Sequence, residues 1–213
     1  GHDAVFLFGS ELKALRAHPA FGADICPQAL GSFLQNMAVG GTQTIYKGIH
    51  KVPPGTLLTI SRQNPEPVAQ RYWSLQDVAV QGMAQPFNGS ATQAVDALED
   101  LLKNAVSQQM MADVPLGAFL SGGVDSSTIV ALMRAQSARP VKTFSIGFEE
   151  DAYNEAEYAR AVAVHLGTEH TDLYVTPQQA LDVIPRLPTL YDEPFADSSQ
   201  IPTFLVSQMT KQH

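Results

Sequence analysis

The chain has 213 residues, 45% of them hydrophobic, and a formal net charge of -8. This length is sufficient for one large domain or two modest domains, each with a real core. The acidic balance argues against a nucleic-acid-binding surface, and no apolar run is long enough to cross a bilayer. Because Cys26 is the only cysteine and no secretory leader is visible, we expect a cytoplasmic protein without an internal disulfide.

The first third of the chain is predicted to mix short strands and helices. An apolar strand over 5–8 precedes a short helix over 11–15, and a second helix begins at Pro27. Further strands are predicted over 56–60 and 68–73. Cys26 has no histidine near it in a motif, so it is interpreted as a small buried hydrophobe and not as a nucleophile.

Residues 76–89 are mostly small and polar and predict a linker. A helix start follows, with Ser90 as N-cap and Gln93 three residues later, the spacing of a capping box. Apolar residues then recur at helical spacing and predict a face that packs on a core. This stripe consists of Val95, Leu98, Leu102, Ala105 and Met110.

From Leu116 onward, strands and helices are predicted to alternate, which favours a parallel sheet with flanking helices. In such a sheet, ligands lie at the carboxyl ends of the strands. The strands are predicted over 116–120, 141–148 and 171–175, and the helices over 126–134, after an N-cap at Asn154, and from Thr176. The ends of the first two strands should therefore face one nucleotide site.

The segment Ser121–Ser127, Ser-Gly-Gly-Val-Asp-Ser-Ser, joins the first of these strands to its helix. The first amides of a helix have no intrahelical partner, and glycines at 122 and 123 allow the backbone to approach an anion closely. Asp125 would repel a phosphate unless a cation lay between them, so the segment predicts a polyphosphate with Mg²⁺. The Gly-x-x-x-x-Gly-Lys-Ser/Thr pattern of P-loops is absent. A simple capped turn is the alternative, and it leaves this residue order unexplained.

Three other features each allow two interpretations. Ile146 is either a core residue or, beside Gly147, a place where an adenine stacks. His165 and His170 are more typical of exposed or hydrogen-bonded histidines than of metal ligands, because no second ligand stands at metal spacing. The acidic segment Tyr191–Ser199 is either a loop with an N-cap or a source of carboxylates for Mg²⁺ or an amine.

Together these motifs resemble a known family. The Ser121–Ser127 segment resembles the SGGxDS pyrophosphate loop of N-type ATP pyrophosphatases, and nearly the whole chain resembles the glutamine-dependent asparagine synthetases. The resemblance rests, besides that loop, on FGSELKAL at 8–15, HKVPPG at 50–55, RYW at 71–73, DVPLG at 113–117, FSIGF at 144–148 and YDEP at 191–194.

The resemblance implies an α/β fold with two parts. Residues 1–75 would be the α+β remnant of an Ntn-type glutaminase domain, 76–89 a linker, and 90–213 the first portion of an ATP-dependent synthetase domain. That second portion would have a parallel sheet with flanking helices, of the adenine nucleotide α-hydrolase (PP-loop) type. A homodimer is implied for the full-length enzyme.

The resemblance also implies an activity and its residues. ATP would activate aspartate as β-aspartyl-AMP with release of pyrophosphate, and glutamine-derived ammonia would displace AMP. The matching ATP-binding positions are Leu120, Ser121, Gly122, Gly123, Val124, Asp125, Ser126, Ser127, Ile146 and Gly147. Of these, Asp125 would act through Mg²⁺, and Leu120 and Ile146 would contact the adenosine.

Two departures from the family pattern limit this expectation. The family's nucleophilic cysteine is the first residue of the mature enzyme, whereas this chain begins at Gly1. A further ATP-binding motif of the family would follow residue 213. We therefore expect no glutaminase activity and at best weak ATP binding from the chain alone. Two alternatives stay open: a synthetase that activates another carboxylate, as in β-lactam formation or sugar amidation, and a nucleotide-binding regulatory module.

Overall fold

The computed structural model of the chain describes residues 5–148 and 155–212. They form two compact units. Unit 1 contains Gly1–Phe87 and Pro185–Asp197, and unit 2 contains Asn88–Ile184 and Ser198–His213. The chain thus leaves unit 2 after Ile184, adds a second segment to unit 1, and re-enters unit 2 at Ser198.

Unit 1 has a small core between a helix and the loops around it. Ala29 of the second helix packs against Val39 and Ile45, and all three are buried. Two short strands pair antiparallel, with Thr56 opposite Arg71 and Thr59 opposite Val68. The elements are α1 (Leu12–Arg16), α2 (Pro27–Asn36), β1 (Thr56–Thr59), β2 (Val68–Arg71), α3 (Leu75–Ala84) and α8 (Leu187–Leu190).

Two expectations for unit 1 differ from the structure. Residues 5–8 form no strand, because no described segment pairs with them, and the side chains of Val5, Phe6 and Phe8 are largely exposed. The predicted linker over 76–89 contains helix α3, which begins after the N-cap Ser74, whose hydroxyl accepts from the amide of Asp77. Every residue of this helix is exposed, including the apolar Leu75, Val78, Val80 and Met83.

Unit 2 contains a parallel sheet between helices, as predicted. The strand order is β3-β4-β5, and both strand pairs are parallel. Phe119 lies opposite Phe144 and Ser145 opposite Asp172 in the register. The elements are α4 (Ala91–Gln109), β3 (Gly117–Phe119), α5 (Val124–Gln136), β4 (Lys142–Phe148), α6 (Ala156–Leu166), β5 (Glu169–Val175), α7 (Pro177–Val183) and α9 (Gln200–Thr210).

Helices cover both faces of this sheet. On one face, Leu120 and Val130 pack against Ala159 and Ala163 of α6. On the other face, Phe144 packs against Val206 and Met209 of α9. Among the described residues, no helix is both long enough and apolar enough to cross a membrane.

The face of α4 that packs on the core is narrower than the sequence pattern predicts, and the buried face of α6 consists of small residues. On α4 only Leu102, Val106 and Met110 reach the core, whereas Val95 and Leu98 are exposed. On α6 the small residues Ala156, Ala159 and Ala163 are buried, whereas Tyr158 and His165 face solvent. The expected N-cap Asn154 lies outside the described residues, and Glu155 occupies the N-cap position of α6.

Candidate functional site

The Ser121–Ser127 segment lies between the carboxyl end of β3 and the first turn of α5. Gly122 has a φ of 79°, in the left-handed region that glycine adopts without strain. Gly123 is the N-cap of α5 and makes no side-chain cap, and its carbonyl accepts the first helical hydrogen bond from the Ser127 amide at 3.0 Å. The backbone therefore turns directly from strand to helix at the two glycines.

Two serine hydroxyls hold this turn together. The Ser126 hydroxyl lies 2.9 Å from that of Ser121 and accepts from the Ser121 amide at 3.2 Å. The Ser121 hydroxyl in turn accepts from the Gly123 amide at 3.3 Å. Because both hydroxyls bond within the loop, Ser121 and Ser126 first of all shape the backbone that a ligand would meet.

Several donors of the turn remain unused. The amides of Gly122, Val124, Asp125 and Ser126 have no acceptor among residues 5–148 and 155–212. The hydroxyl of Ser127 is buried and also has no hydrogen-bond partner in that part of the chain. A buried hydroxyl without a partner costs free energy, so its orphaned state points to a missing ligand atom. At the positive end of a 13-residue helix, these donors suit an anion.

Gly122 brings the turn against helix α6. A Cβ at this position would lie 2.7 Å from both the backbone nitrogen of Ala159 and the Cβ of Tyr158. A Cβ at Gly123 would meet only the Ser121 hydroxyl, at 3.3 Å. Only glycine at 122 therefore lets the loop lie this close to α6.

Asp125 lies in the first turn of α5 with its side chain in solvent. In the described part of the chain no three His, Cys, Asp or Glu side chains come together as a metal cage. Mg²⁺ characteristically binds one or two carboxylates together with substrate phosphates and waters, and it needs no such cage. The exposed carboxylate beside unused amides is compatible with Mg²⁺ arriving with a polyphosphate.

The predicted adenosine-side residues occupy different environments. Leu120 is 2% exposed, and its amide donates to the Phe144 carbonyl at 2.9 Å, so this residue anchors the loop in the core. Ile146 is half-buried on β4, and Gly147 is buried. The last residue of β3, Phe119, pairs with Phe144, and β4 continues past it to Phe148.

Comparison with known proteins identifies the family. The sequence matches the asparagine synthase family over residues 97–213, more than half of the chain. The chain belongs to the asparagine synthase family. It also matches a glutamine amidotransferase domain over residues 1–73. These matches confirm the resemblance predicted from the motifs.

Curated relatives of this chain come from bacteria, archaea and animals. It is 30% identical over 213 residues to "Asparagine synthetase [glutamine-hydrolyzing] 1" of Bacillus subtilis, covering 100% of this chain and 32% of that protein. It is 33% identical over 209 residues to a "Putative asparagine synthetase [glutamine-hydrolyzing] 2" of Methanocaldococcus jannaschii, covering 97% and 39%. A Bos taurus asparagine synthetase is 35% identical over 109 residues, covering 48% and 19%. The chain spans about a third of the length of the first two relatives.

The acidic segment Tyr191–Ser199 lies largely in unit 1, where Asp192 and Glu193 accept hydrogen bonds from backbone amides. Asp192 accepts from the amide of Leu12 at 2.6 Å, at the start of α1. Glu193 accepts from the amide of Ile45 at 2.7 Å and pairs with the Lys51 ammonium at 2.7 Å. Within unit 1 these two side chains therefore hold the segment in place.

Asp192 also lies 3.5 Å from the ammonium of Lys13. The pKa of that ammonium is raised, first by its hydrogen bond with Glu11 and then by the charge of Asp192. The sequence pattern of Tyr191–Ser199 shows an acidic loop but not its partners, because those partners lie about 150 to 180 residues earlier in the chain.

Unit 2 also contains a buried polar network that the sequence motifs did not predict. It joins Thr143 and Ser145 on β4 to His170 and Asp172 on β5. Arg160 of α6 completes it, because its Nε donates to Asp172 at 2.9 Å, and this hydrogen bond raises the pKa of the guanidinium. Polar residues two positions apart on two adjacent buried strands were the available sequence signal. His165, by contrast, is exposed.

Proposed function

We propose that this chain provides the ATP-binding loop for glutamine-dependent synthesis of asparagine. The observation that carries the proposal is the turn at Ser121–Ser127. Its first helical turn contains both amides without an acceptor and a buried Ser127 hydroxyl that has no partner in the described residues. The family matches at both ends of the chain support the same conclusion. We accordingly assign the part of unit 2 around the sheet to the PP-loop type and the N-terminal part to a glutaminase domain.

In the proposed reaction, a carboxylate oxygen of aspartate attacks the α-phosphorus of ATP. The bond from that phosphorus to the bridging oxygen breaks, which gives β-aspartyl-AMP and pyrophosphate. Ammonia from glutamine then attacks the acyl carbon, AMP leaves, and a proton is lost to give asparagine. The chemistry therefore needs a site that stabilises charge developing on pyrophosphate.

The loop is suited to that task. The amides of Val124, Asp125 and Ser126 point out of the first turn of α5, where the helix dipole adds positive potential. Because Ser121 and Ser126 already hold the turn, no reorganisation is needed when charge develops. A bound Mg²⁺, held by Asp125, would neutralise charge on the phosphate oxygens.

The adenosine would lie at the end of β4. Ile146 is half-buried on the part of β4 that extends beyond β3, and it offers an apolar surface for the base. Gly147 adds no side chain, so a base can approach the strand there. Leu120 would contribute by anchoring the loop, since its side chain is buried in the core. A cytoplasmic location and a homodimer of the full-length enzyme are part of the same proposal.

The binding of ATP can be tested with the 213-residue chain. Asp125→Asn should weaken Mg²⁺-dependent binding of ATP by about tenfold or more, because a metal ligand is lost. Without Mg²⁺, the variant should bind ATP at least as tightly as the wild type, because it lacks the carboxylate that repels the phosphates. Isothermal titration calorimetry measures both, and Asp96→Asn, at an exposed carboxylate on α4, is the matched control. Binding that needs no Mg²⁺ and is unchanged in Asp125→Asn would instead favour a regulatory nucleotide-binding module.

The reaction is tested in the full-length gene product that contains this chain. Pyrophosphate release from ATP should depend on aspartate and should be lost in Asp125→Asn. Release that requires a different carboxylate would keep the mechanism and replace the substrate. Bound ATP with no release for any carboxylate would contradict the proposed synthesis.

A further inference from the structure

A histidine with buried polar neighbours lies beneath the candidate loop. Thr143 is 0% exposed and Ser145 is 3% exposed, although both are polar residues in a sheet core. The side chains of His170 and Asp172 are 9% and 13% exposed. Burying polar groups is unfavourable unless each finds a partner, so a network of this kind needs a structural or functional reason.

The donor and acceptor roles in this network follow from the Ser145 hydroxyl. Ser145 has a single hydroxyl proton, and it donates that proton to the Leu120 carbonyl at 2.6 Å. The Nε2 atom of His170 lies 3.3 Å from the Ser145 oxygen and 2.7 Å from an Asp172 oxygen. That Asp172 oxygen, Oδ1, accepts no hydrogen bond within the described residues. The Ser145 oxygen has already donated its proton and can only accept, so Nε2 carries the proton of their contact. The other ring nitrogen, Nδ1, faces the Thr143 hydroxyl at 2.9 Å.

The network ends at the base of the loop. Leu120 is the residue immediately before Ser121, and its amide and carbonyl are both used, by Phe144 and Ser145 respectively. Since the Leu120 side chain is buried as well, the carbonyl fixes the direction in which the backbone enters the turn. Asp172 is held in turn by Arg160 of α6, the helix that also contacts Gly122.

We propose that His170 is a positioning residue for the Ser121–Ser127 loop, acting through Ser145 on the Leu120 carbonyl. This inference rests on the proposed function for the role of the loop in ATP binding. His170 does not touch the ligand in this scheme. It orients the Ser145 oxygen by donating to it, and Ser145 then holds the strand end from which the loop amides are directed.

The geometry excludes a nucleophilic role for this serine. Ser145 is nearly fully buried, and its proton is engaged by a carbonyl, so its oxygen is not available to attack a substrate. The histidine donates to the serine here, whereas a general base would have to accept the serine proton. These hydrogen bonds therefore support a role for Ser145 and His170 in positioning the backbone at Leu120.

Three variants test the inference in the 213-residue chain. His170→Leu removes the donor at similar volume, and Ser145→Ala removes the link to Leu120. His170→Gln keeps an N–H group that can reach the position of Nε2. His165→Leu changes an exposed histidine of the same unit and is the matched control.

Two readouts separate the positioning role from the proposed ATP function. The first is hydrogen exchange, without ligand, of the four hydrogen-bonded amides of the loop, those of Leu120, Ser121, Gly123 and Ser127. Their exchange should become about tenfold faster in His170→Leu and Ser145→Ala, the size expected for one lost hydrogen bond. It should stay close to the wild type in His170→Gln and His165→Leu. The second is the affinity for Mg²⁺–ATP and Mg²⁺–pyrophosphate, which should fall in the same two variants. The double variant should lose no more affinity than either single variant, because both changes break one connection.

The outcomes are distinct. Unchanged exchange in His170→Leu and Ser145→Ala would overturn the positioning role. Faster exchange in the variants, with no binding of either ligand by the wild-type full-length gene product, would retain positioning and overturn the proposed function. If the variants do not fold, ¹⁵N NMR of the wild-type histidine decides: a protonated Nε2 supports the inference, and a bare Nε2 overturns it.

Discussion

Gly122 is the residue on which the geometry of the loop depends most directly. It combines a φ of 79° with a Cβ position only 2.7 Å from backbone and side-chain atoms of α6. Its neighbour Gly123 has a φ of -71° and open space apart from one hydroxyl. Two adjacent glycines thus serve different needs: the first permits the turn, and the second leaves the N-cap without a side chain.

We predict that Gly122→Ala destabilises unit 2 by roughly 1–3 kcal/mol, because it adds backbone strain and a clash with α6. Gly123→Ala should cost less than about 1 kcal/mol, since only an N-cap preference changes. Urea unfolding followed through the amides of β3 and β4 measures both. Equal losses in the two variants would show that the close contact with Tyr158 and Ala159 is not the cause.

At the scale of elements, helix α4 begins with a capping box, but the apolar residues of its first turns do not pack on the core. Ser90 accepts from the Gln93 amide at 3.2 Å, and the Gln93 side chain accepts from the Ser90 amide at 2.8 Å, so the predicted capping box is confirmed. The apolar residues of the first turns, Val95 and Leu98, nevertheless remain exposed. The start of this helix is therefore stabilised mainly by its cap.

We predict that Ser90→Ala weakens the first turn of α4 by about 1 kcal/mol, the typical contribution of an N-cap side chain. Because no core contact replaces the cap there, the Gln93 amide should exchange about fivefold faster. Ser107→Ala, at an exposed position inside the same helix, should leave that amide unchanged. Protection of Gln93 that survives in Ser90→Ala would mean that tertiary contacts, and not the capping box, hold the helix start.

At the scale of the whole molecule, unit 1 is assembled from two distant pieces of chain. The segment Pro185–Asp197 joins it through Asp192 and Glu193, and Phe195 forms an antiparallel bridge with Ala38. A carboxylate that accepts from an amide forms a charge-assisted hydrogen bond, which is stronger than a neutral one. The conspicuous acidic pattern is explained by these contacts within unit 1.

We predict that Glu193→Ala releases this segment, because the Ile45 amide loses its acceptor and the Lys51 ammonium loses its carboxylate partner, keeping only the Val39 carbonyl. Charged hydrogen bonds contribute about 1.5–3 kcal/mol, so proteolytic cleavage within 185–197 should become at least about tenfold faster. Glu193→Gln, which keeps an acceptor for the amide, should have an intermediate effect.

Glu66→Ala, at an exposed carboxylate between β1 and β2, serves as the control for this experiment. A cleavage rate in Glu193→Ala equal to that of the control would show that the carboxylate does not hold the segment. Limited proteolysis with product analysis by mass spectrometry gives the rate at each bond.

Local sequence patterns predicted those features of the structure whose physical cause lies within a few residues. The capping box at Ser90, the helix start at Pro27 and the turn at Gly122 all arise from residues a few positions apart, so their sequence predicts them. The alternation of elements after Leu116 likewise predicted the parallel sheet, because each crossover is one strand, one helix and one strand. The same reasoning failed for residues 5–8, where an apolar run alone cannot supply a partner strand.

The sequence by itself determined the family, the loop motif and the alternating α/β order of unit 2. Only the tertiary structure decided which polar residues meet: Ser145 with Leu120 across 25 residues, and Glu193 with Ile45 across 148 residues. The reason is physical. Helix caps and glycine turns depend on neighbours along the chain, whereas a buried hydroxyl or carboxylate depends on whichever donor the packed chain brings to it.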